Sequence, residues 1–215
     1  MFTDTTLHVS DVLSHIKRQF GDEAAVQITD SDIIRWVNAG QAEIFRRSEP
    51  IKSSMTADIV AGQATYSFPG DILRVQSLLY NGLPLKQLSY QEAEEYILDE
   101  DPNTTALGTG IIWYEWGGTF TIYPTPDSSS TGGLTIQYVR KPVVVEAATD
   151  LLSIPDAYYN RLIEYVLQQA YEMDENFQAS ELKGTQFTQN LESYTNPENT
   201  IGNTYPTITT LDEDL

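Results

Sequence analysis

Few residues of this sequence have the types and spacings that build a catalytic or metal site. The chain has no cysteine and only two histidines, His8 and His15. The lack of cysteine excludes disulfide scaffolds, thiolate zinc sites, iron–sulfur clusters and cysteine nucleophiles. The two histidines fall on one helix face with Asp11 between them, a trio that could bind zinc. Structural zinc normally takes four protein ligands, however, so surface histidines are the simpler interpretation.

An acidic run near the middle of the chain resembles part of a calcium loop. Asp99, Asp101 and Asn103 match the first, third and fifth ligand positions. Thr104 then replaces the turn glycine and Gly110 the closing glutamate. A solvated acidic loop is the simpler interpretation, and a weak cation site stays open. The sequence also lacks a phosphate-binding glycine loop and a Gly-x-Ser-x-Gly nucleophile. We therefore expect no cofactor, no metal and no catalytic residue.

The aromatic residues Trp113, Tyr114 and Trp116 are the remaining candidates for ligand binding. They could stack on a sugar ring and form a carbohydrate-binding or host-recognition module. One face of a sheet packed on its core is the interpretation that we favour. Because the chain has 31 acidic residues, a hydrolase with a pair of catalytic carboxylates also stays open, although no pair stands out.

The charge balance argues against a protein that binds nucleic acid through a basic surface. The chain carries 12 Lys and Arg against 31 Asp and Glu, a formal net charge of −19. The densest basic patch contains Arg46, Arg47 and Lys52, which we predict to pair with an acidic neighbouring subunit. No stretch approaches the roughly 18 apolar residues of a membrane span, and no signal peptide is visible. We therefore expect synthesis in the cytoplasm and no membrane partner.

Helical spacing of apolar residues marks both ends of the chain. Near the N-terminus the pattern predicts one helix and then a second, capped by Thr29 or Asp30, that ends at Pro50. Near the C-terminus, Pro155 is predicted to be the first residue of a long helix. A turn at 174–176 then leads into a weaker helix, which predicts an antiparallel helical hairpin.

Between these helices the period changes to that of strands. Asn81-Gly82 and Gly117-Gly118 predict hairpin turns, because asparagine and glycine tolerate a positive φ. Ser89 and Glu92 have the spacing of a capping box that starts one short helix. The apolar stripes contain Leu73, Val75 and Leu79 in one strand, and Met173 and Leu182 in the C-terminal helices.

The last residues, 195–215, differ from the rest of the chain. They contain two prolines, no Lys or Arg, and no periodic pattern. Such a segment cannot offset the entropy cost of its own ordering. We therefore expect this arm to rest on a partner.

Six short segments carry a resemblance to a known family. They are 32–44 (DIIRWVNAGQAEI), 66–72 (YSFPGDI), 80–85 (YNGLPL), 120–126 (FTIYPTP), 136–138 (IQY) and 154–159 (IPDAYY). Together they resemble the head-to-tail adaptor proteins, or head-tail connectors, of tailed bacteriophages, especially the tail tubular protein A type of short-tailed phages. The likeness spans about Val9 to Tyr194.

This resemblance implies an α+β fold in which two N-terminal helices and a C-terminal helical hairpin form a bundle. An antiparallel β domain is inserted between them, and an extended C-terminal arm follows. The implied segments are 1–52 for the N-terminal helices, 53–150 for the β domain with its short helix, 151–194 for the helical hairpin and 195–215 for the arm.

The resemblance also implies a function. The adaptor would form a homo-oligomeric ring, a dodecamer, under the portal protein in the neck of the virion, and would offer its lower face to the tail nozzle or the next tail component. Genomic DNA would pass through the lumen without specific binding, and no reaction would be catalysed. Another neck component, such as a stopper, stays open. The arm would dock on the portal through Ile201, Tyr205, Pro206, Ile208, Leu211 and Leu215.

Overall fold

A computed structural model describes residues 6–22, 24–99 and 111–195 of the chain. The chain divides into two compact units, a helical unit of Met1–Ser48 and Val144–Leu215 and a β unit of Glu49–Val143. The β unit is thus inserted into the sequence of the helical unit. The predicted α+β class is confirmed.

The described residues form five helices and eight strands. The helices are α1 (Val9–Phe20), α2 (Asp30–Ser48), α3 (Tyr90–Asp99), α4 (Tyr159–Met173) and α5 (Phe177–Thr195). The strands are β1 (Lys52–Ile59), β2 (Thr65–Ser67), β3 (Ile72–Tyr80), β4 (Leu83–Pro84), β5 (Lys86–Gln87), β6 (Ile112–Trp116), β7 (Thr119–Tyr123) and β8 (Ser130–Arg140).

In the helical unit, α4 packs against α1, α2 and α5. Capping residues and glycine determine where these helices begin and end. Thr29 and Asp32 cap α2 reciprocally: the Asp32 N–H donates to Thr29 Oγ1 at 3.3 Å and the Thr29 N–H to Asp32 Oδ2 at 3.4 Å. Gly21 ends α1 in the left-handed conformation, with φ of 80°. The apolar stripes then meet in a core that includes Val9, Val12, Ile16, Ile33, Val37, Ile44, Phe45, Leu162, Val166, Ala170, Phe187 and Leu191.

Two polar side chains of α2 fix the segment that leads back from the β unit into α4. Asn38 donates from Nδ2 to the carbonyl of Val145 at 2.8 Å, and its Oδ1 accepts the N–H of Val145 at 2.9 Å. The fully buried Gln41 accepts the N–H of Ser153 at 2.6 Å. These bonds satisfy backbone groups that would otherwise be buried without partners.

The β unit has two four-stranded sheets, a first sheet in the order β1-β8-β3-β4 and a second sheet in the order β2-β7-β6-β5. The pairs are antiparallel except β5 with β6, which is parallel and departs from the predicted all-antiparallel domain. Side chains of both sheets form one core, which contains Ile59, Tyr66, Leu78, Tyr80, Trp113, Phe120, Ile122, Leu134, Ile136 and Tyr138.

The structure corrects the predicted face of β3. Leu73 is 39% exposed, whereas Leu78 is fully buried and Tyr80 nearly so. The reason is that the pairing of β3 with β8 shifts twice, between Ile72 and Arg74 and again further along the strand. Each such irregularity breaks the strict alternation of inward and outward side chains on which the prediction depended.

Three predictions in the C-terminal helices were also wrong. Met173 and Leu182 are 52% and 57% exposed, because each lies off the face that α4 and α5 bury against each other. Pro155 is not the first residue of α4 but precedes a short 3-10 turn, Asp156–Tyr158, after which α4 begins at Tyr159. The predicted hairpin itself is present, since α4 and α5 pack together.

Candidate interaction surfaces

Arg46 and Arg47, in the last turn of α2, share one carboxylate. Arg46 donates from Nε and Nη2 to Glu43 at 2.9 and 2.7 Å, and Arg47 donates from Nε at 2.5 Å. The hydrogen bond from Arg46, followed by that from Arg47, holds the pKa of Glu43 below its usual range. Two guanidinium groups on one carboxylate leave a net positive charge at this helix end, where the helix dipole favours cations.

Lys52, the third predicted cation, belongs to the β unit. It is exposed at the start of β1, and none of the ion pairs in the described part of the chain involves it. Its charge is therefore available to a partner. The prediction that Arg46, Arg47 and Lys52 bind a neighbouring subunit stays a prediction.

The outer edge of the first sheet is formed by β1. This strand pairs with β8, from Lys52 opposite Val139 onward, and no described strand lies along its other side. The stretch 53–57 contains no charged residue, proline or glycine. Edge strands usually carry such residues, which prevent pairing with other chains. The other edge strands, β2, β4 and β5, are only two or three residues long, so β1 is the longest edge strand among the described residues of the β unit.

The predicted aromatic face is divided between core and surface. Trp113 is 1% exposed and meets Phe120 edge to face at 6.4 Å, so it cannot form a platform together with Trp116. Trp116 is 65% exposed, and the ring of Tyr90 lies 4.6 Å from it and 5.7 Å from Tyr114. The aromatic cluster at the surface is therefore Tyr90, Tyr114 and Trp116, of which Tyr114 is half-buried. Sequence reasoning missed Tyr90 because it lies on α3, far from the other two along the chain.

An acidic surface marks the turn between α4 and α5. Glu172, Asp174, Glu175 and Glu181 are all exposed. No Lys or Arg lies between Arg161 and Lys183 in the sequence. None of the ion pairs of the described residues involves these acids, so this end of the helical hairpin carries a local excess of negative charge.

Comparison with protein families gives a match. The family model of the SU10 adaptor protein matches residues 8–207, nearly the whole chain. The chain belongs to the SU10 adaptor protein family. No curated protein sequence matches it. The resemblance to bacteriophage adaptors is thereby confirmed. The family consists of structural phage proteins and is not a family of enzymes.

The SU10 adaptor match ends at Thr207, inside the arm. The predicted docking residues of the arm all lie outside the described residues. Ile201, Tyr205 and Pro206 fall within the family match, whereas Ile208, Leu211 and Leu215 lie beyond it.

In the described part of the chain, no three His, Asp or Glu residues are grouped so that they could hold a metal ion. His8 instead caps α1, with its N–H donating to Asp11 at 2.7 Å, and its Nδ1 lies 2.8 Å from the carbonyl of Thr149. Asp101 and Asn103 lie outside the described residues, and Asp99 is the last residue of α3. Within the described ranges, no helix combines the length and apolar composition needed to cross a membrane.

Proposed function

We propose that this protein is a head-to-tail adaptor of the tail tubular protein A type, which joins the portal protein to the tail of a tailed bacteriophage. It forms a dodecameric ring under the portal, in the neck of the virion, and its lower face receives the tail nozzle or the next tail component. The observation that carries this proposal is the family match over residues 8–207, which includes both helical segments and the inserted β unit.

The charge of the chain supports a role as the wall of a DNA channel. A wall that presents Lys and Arg would bind phosphates and release their counterions, which would hold the DNA. A net charge of −19 per copy repels the phosphates instead. Because the Debye length is about 8 Å at physiological salt, only acids close to the lumen would act on the DNA. DNA then passes without specific binding.

Attachment to the portal is proposed for the arm, residues 195–215, with Ile201, Tyr205, Pro206, Ile208, Leu211 and Leu215 as its docking residues. When an arm becomes ordered only on its partner, part of the favourable binding free energy offsets the entropy lost on ordering. The arm would then adopt its bound conformation only where the portal is present. Contacts between copies are proposed for Arg46 and Arg47 together with Lys52.

The direct test is to mix the purified chain with portal rings of the same phage and to image the product by electron microscopy. We expect a ring of this chain beneath the portal with an open lumen. A single plug on the axis that closes the channel would favour a stopper, the alternative neck component. Absence of any complex with the portal would contradict the proposal.

A control separates specific docking from adhesion through exposed aromatic residues. Trp116→Ala removes the most exposed ring of the aromatic cluster and should leave portal binding unchanged. If Trp116→Ala abolished portal binding, or if the chain bound oligosaccharides through this cluster, the recognition function would have to be assigned to the β unit.

A further inference from the structure

We propose that the outer edge of β1 in one copy is extended by residues 207–212 from the arm of a neighbouring copy, which add to the first sheet as an antiparallel strand. This inference rests on the ring proposed above and assigns a binding site, the outer edge of β1, to the distal half of the arm. The open edge of β1 supplies unpaired backbone N–H and C=O groups, and an extended segment binds such an edge through its own backbone.

The composition of the arm fits an edge strand only at residues 207–211. Their sequence is Thr-Ile-Thr-Thr-Leu, four β-branched residues and a leucine without charge. Pro206 precedes them, and the acidic residues 212–214 follow. The five uncharged residues therefore match in length the uncharged stretch 53–57 of β1.

Charge selects the direction of the pairing. In the antiparallel register that places Thr207 opposite Ala57, the next residue after the uncharged run, Asp212, lies opposite Lys52. In the parallel arrangement Asp212 would instead lie opposite Asp58, and like charges that face each other across strands are destabilising. Lys52 has no ion-pair partner among the described residues, so the antiparallel strand supplies one.

The same register places Pro206 beside the irregular part of β1. The pairing of β1 with β8 shifts between Ala57 and Ile59. Pro206, which cannot donate a backbone hydrogen bond, falls opposite Asp58 in this interval. The proline therefore costs no hydrogen bond, and the pairing begins one residue later.

Side chains on both faces are compatible with this strand. Residues directly opposite each other in an antiparallel pair share a face of the sheet. Leu211 and Thr209 then lie beside Ser53 and Met55, on the face where the half-buried Met55 packs against the core of the β unit. In this register Leu211 gains apolar contact on that face.

The length of the arm allows the connection to another copy. The 11 residues 196–206 separate the end of α5 from the pairing segment, and an extended chain of this length spans at most about 40 Å. In a ring, the next copy holds its β1 edge at a high effective concentration, which makes a short strand sufficient for binding.

The division of the arm agrees with the family match. The SU10 adaptor model ends at Thr207, so the pairing segment lies almost entirely beyond the part of the arm that matches the family. Portal contact then falls to Ile201, Tyr205 and Pro206. Ile208 and Leu211, proposed above as portal-docking residues, are reassigned by this inference to the contact between neighbouring copies.

The absence of native cysteine makes disulfide trapping a clean test. The register places Thr210 opposite Ser54. A full-length Ser54→Cys variant is mixed with a full-length Thr210→Cys variant that carries a size tag. The mixture is either concentrated without portal or assembled on portal rings, and it is then oxidised mildly. Mixed dimers are then counted by non-reducing electrophoresis. Matched controls replace Thr210→Cys by Thr207→Cys, three residues out of register, or by Ile208→Cys, which the parallel arrangement would place opposite Ser54.

We expect mixed dimers of Ser54→Cys with Thr210→Cys at a level at least about fivefold above both controls, because cysteines whose Cα atoms are more than about 7 Å apart are not bridged without backbone movement. Adding Lys52→Glu to the Ser54→Cys chain should lower this yield severalfold, whereas Lys52→Arg should keep it.

The inference is overturned if the mixed dimers are no more abundant than in the controls, or if a chain that carries both Ser54→Cys and Thr210→Cys forms its disulfide only within itself. Binding to the portal is read separately in the same samples by co-sedimentation. Portal binding without the disulfide refutes the strand addition and leaves the proposed function intact. The disulfide without portal binding supports the strand addition and counts against the proposed attachment.

Discussion

The close approach of α2 and α4 depends on Gly40, and replacing it by alanine tests how the helical unit is packed. A Cβ atom at position 40 would lie 2.7 Å from Cδ1 of Leu162 and 2.9 Å from Cδ1 of Tyr165. Neither neighbour moves aside freely. Leu162 is fully buried, and the Tyr165 ring packs edge to face on Phe187 with centroids 5.4 Å apart. The added methyl group therefore forces the two helices to shift.

Two effects of opposite sign decide the outcome for Gly40→Ala. In a helix interior, alanine is more favourable than glycine by about 0.8–1.0 kcal/mol. Overpacking a well-packed core costs about 1–3 kcal/mol. Because both clashing groups are held by the core, we expect the overpacking to exceed the helix preference and Gly40→Ala to lower the free energy of unfolding by about 1 kcal/mol.

Gly184 provides a matched control in the same unit. It also lies inside a helix, α5, and the atoms that its added Cβ would meet, at 2.9–3.1 Å, all belong to the side-chain amide of Gln168. That amide is the far end of a flexible side chain and can turn away. Gly184→Ala should therefore keep most of the helix preference and raise the free energy of unfolding by up to about 1 kcal/mol.

The measurement is thermal unfolding of both variants, followed by the helical circular dichroism signal. A difference of about 2 kcal/mol between the two alanine variants corresponds to about 4–8 °C in the melting temperature of a chain of this size. Gly40→Ala should melt below the parent protein and Gly184→Ala above it. If Gly40→Ala melts at or above Gly184→Ala, the tight contact of α2 with α4 does not govern stability.

Four further predictions concern polar contacts and assembly. Asn38→Ala removes both hydrogen bonds to Val145 and should lower the free energy of unfolding, measured in urea, by about 1–3 kcal/mol. A decrease below about 0.5 kcal/mol would show that these two hydrogen bonds are not needed to hold the segment. Asp22 accepts three backbone N–H groups, led by that of Ile28, which hold its pKa below the usual value. Since a depressed pKa gives stability that is lost as pH falls through the folded pKa, Asp22→Asn should weaken the decline of the melting temperature below about pH 4, and an unchanged decline would contradict this. Deleting 195–215 should leave the melting temperature nearly unchanged while weakening portal binding severely, and a melting point several degrees lower would give the arm a structural role instead. The isolated protein should sediment as a monomer or weak oligomer at low salt, because net charges of −19 repel; a stable low-salt ring without portal would contradict this.

Elements governed by neighbouring residues could be predicted from the sequence. The turn between β3 and β4 has φ of 49° at Asn81 and 82° at Gly82, as the dipeptide requires. The start of α3 has its capping box, with the Ser89 N–H donating to Glu92 at 2.8 Å and the Glu92 N–H donating to Ser89 at 3.3 Å. In both cases the residues that determine the conformation lie within four positions of each other.

The strand that escaped prediction, β1, depends on a distant partner. Its inward side chains include Ser53 and Ala57, which give too weak an apolar alternation to indicate a strand. Its pairing comes from β8, where Ser54 lies opposite Gln137. A contact across some eighty positions of sequence leaves no local signal, and the same holds for the aromatic cluster, since Tyr90 reaches Trp116 only through the fold.

For the candidate surfaces, the sequence indicates which charged residues are present but not the contacts that they make in the fold. The basic helix end at Arg46 and Arg47 follows directly from sequence, but its sharing of Glu43 depends on which rotamers the helix presents. The docking residues of the arm were selected by composition alone, and they stay a prediction.

An acidic ring needs an attraction between copies that does not depend on side-chain charge. Several of the cations in the described residues already bind acids within the chain, among them Lys17, Arg35 and Arg74. With 12 Lys and Arg against 31 Asp and Glu in each copy, the cations are too few to balance the acids that neighbouring copies bring together. Strand addition at β1 meets this requirement, because its attraction comes from backbone hydrogen bonds, which salt does not screen. Salt would weaken the repulsion between copies more than it weakens this contact, so rings held by β1 should become more stable as ionic strength rises, whereas rings held mainly by ion pairs should become less stable.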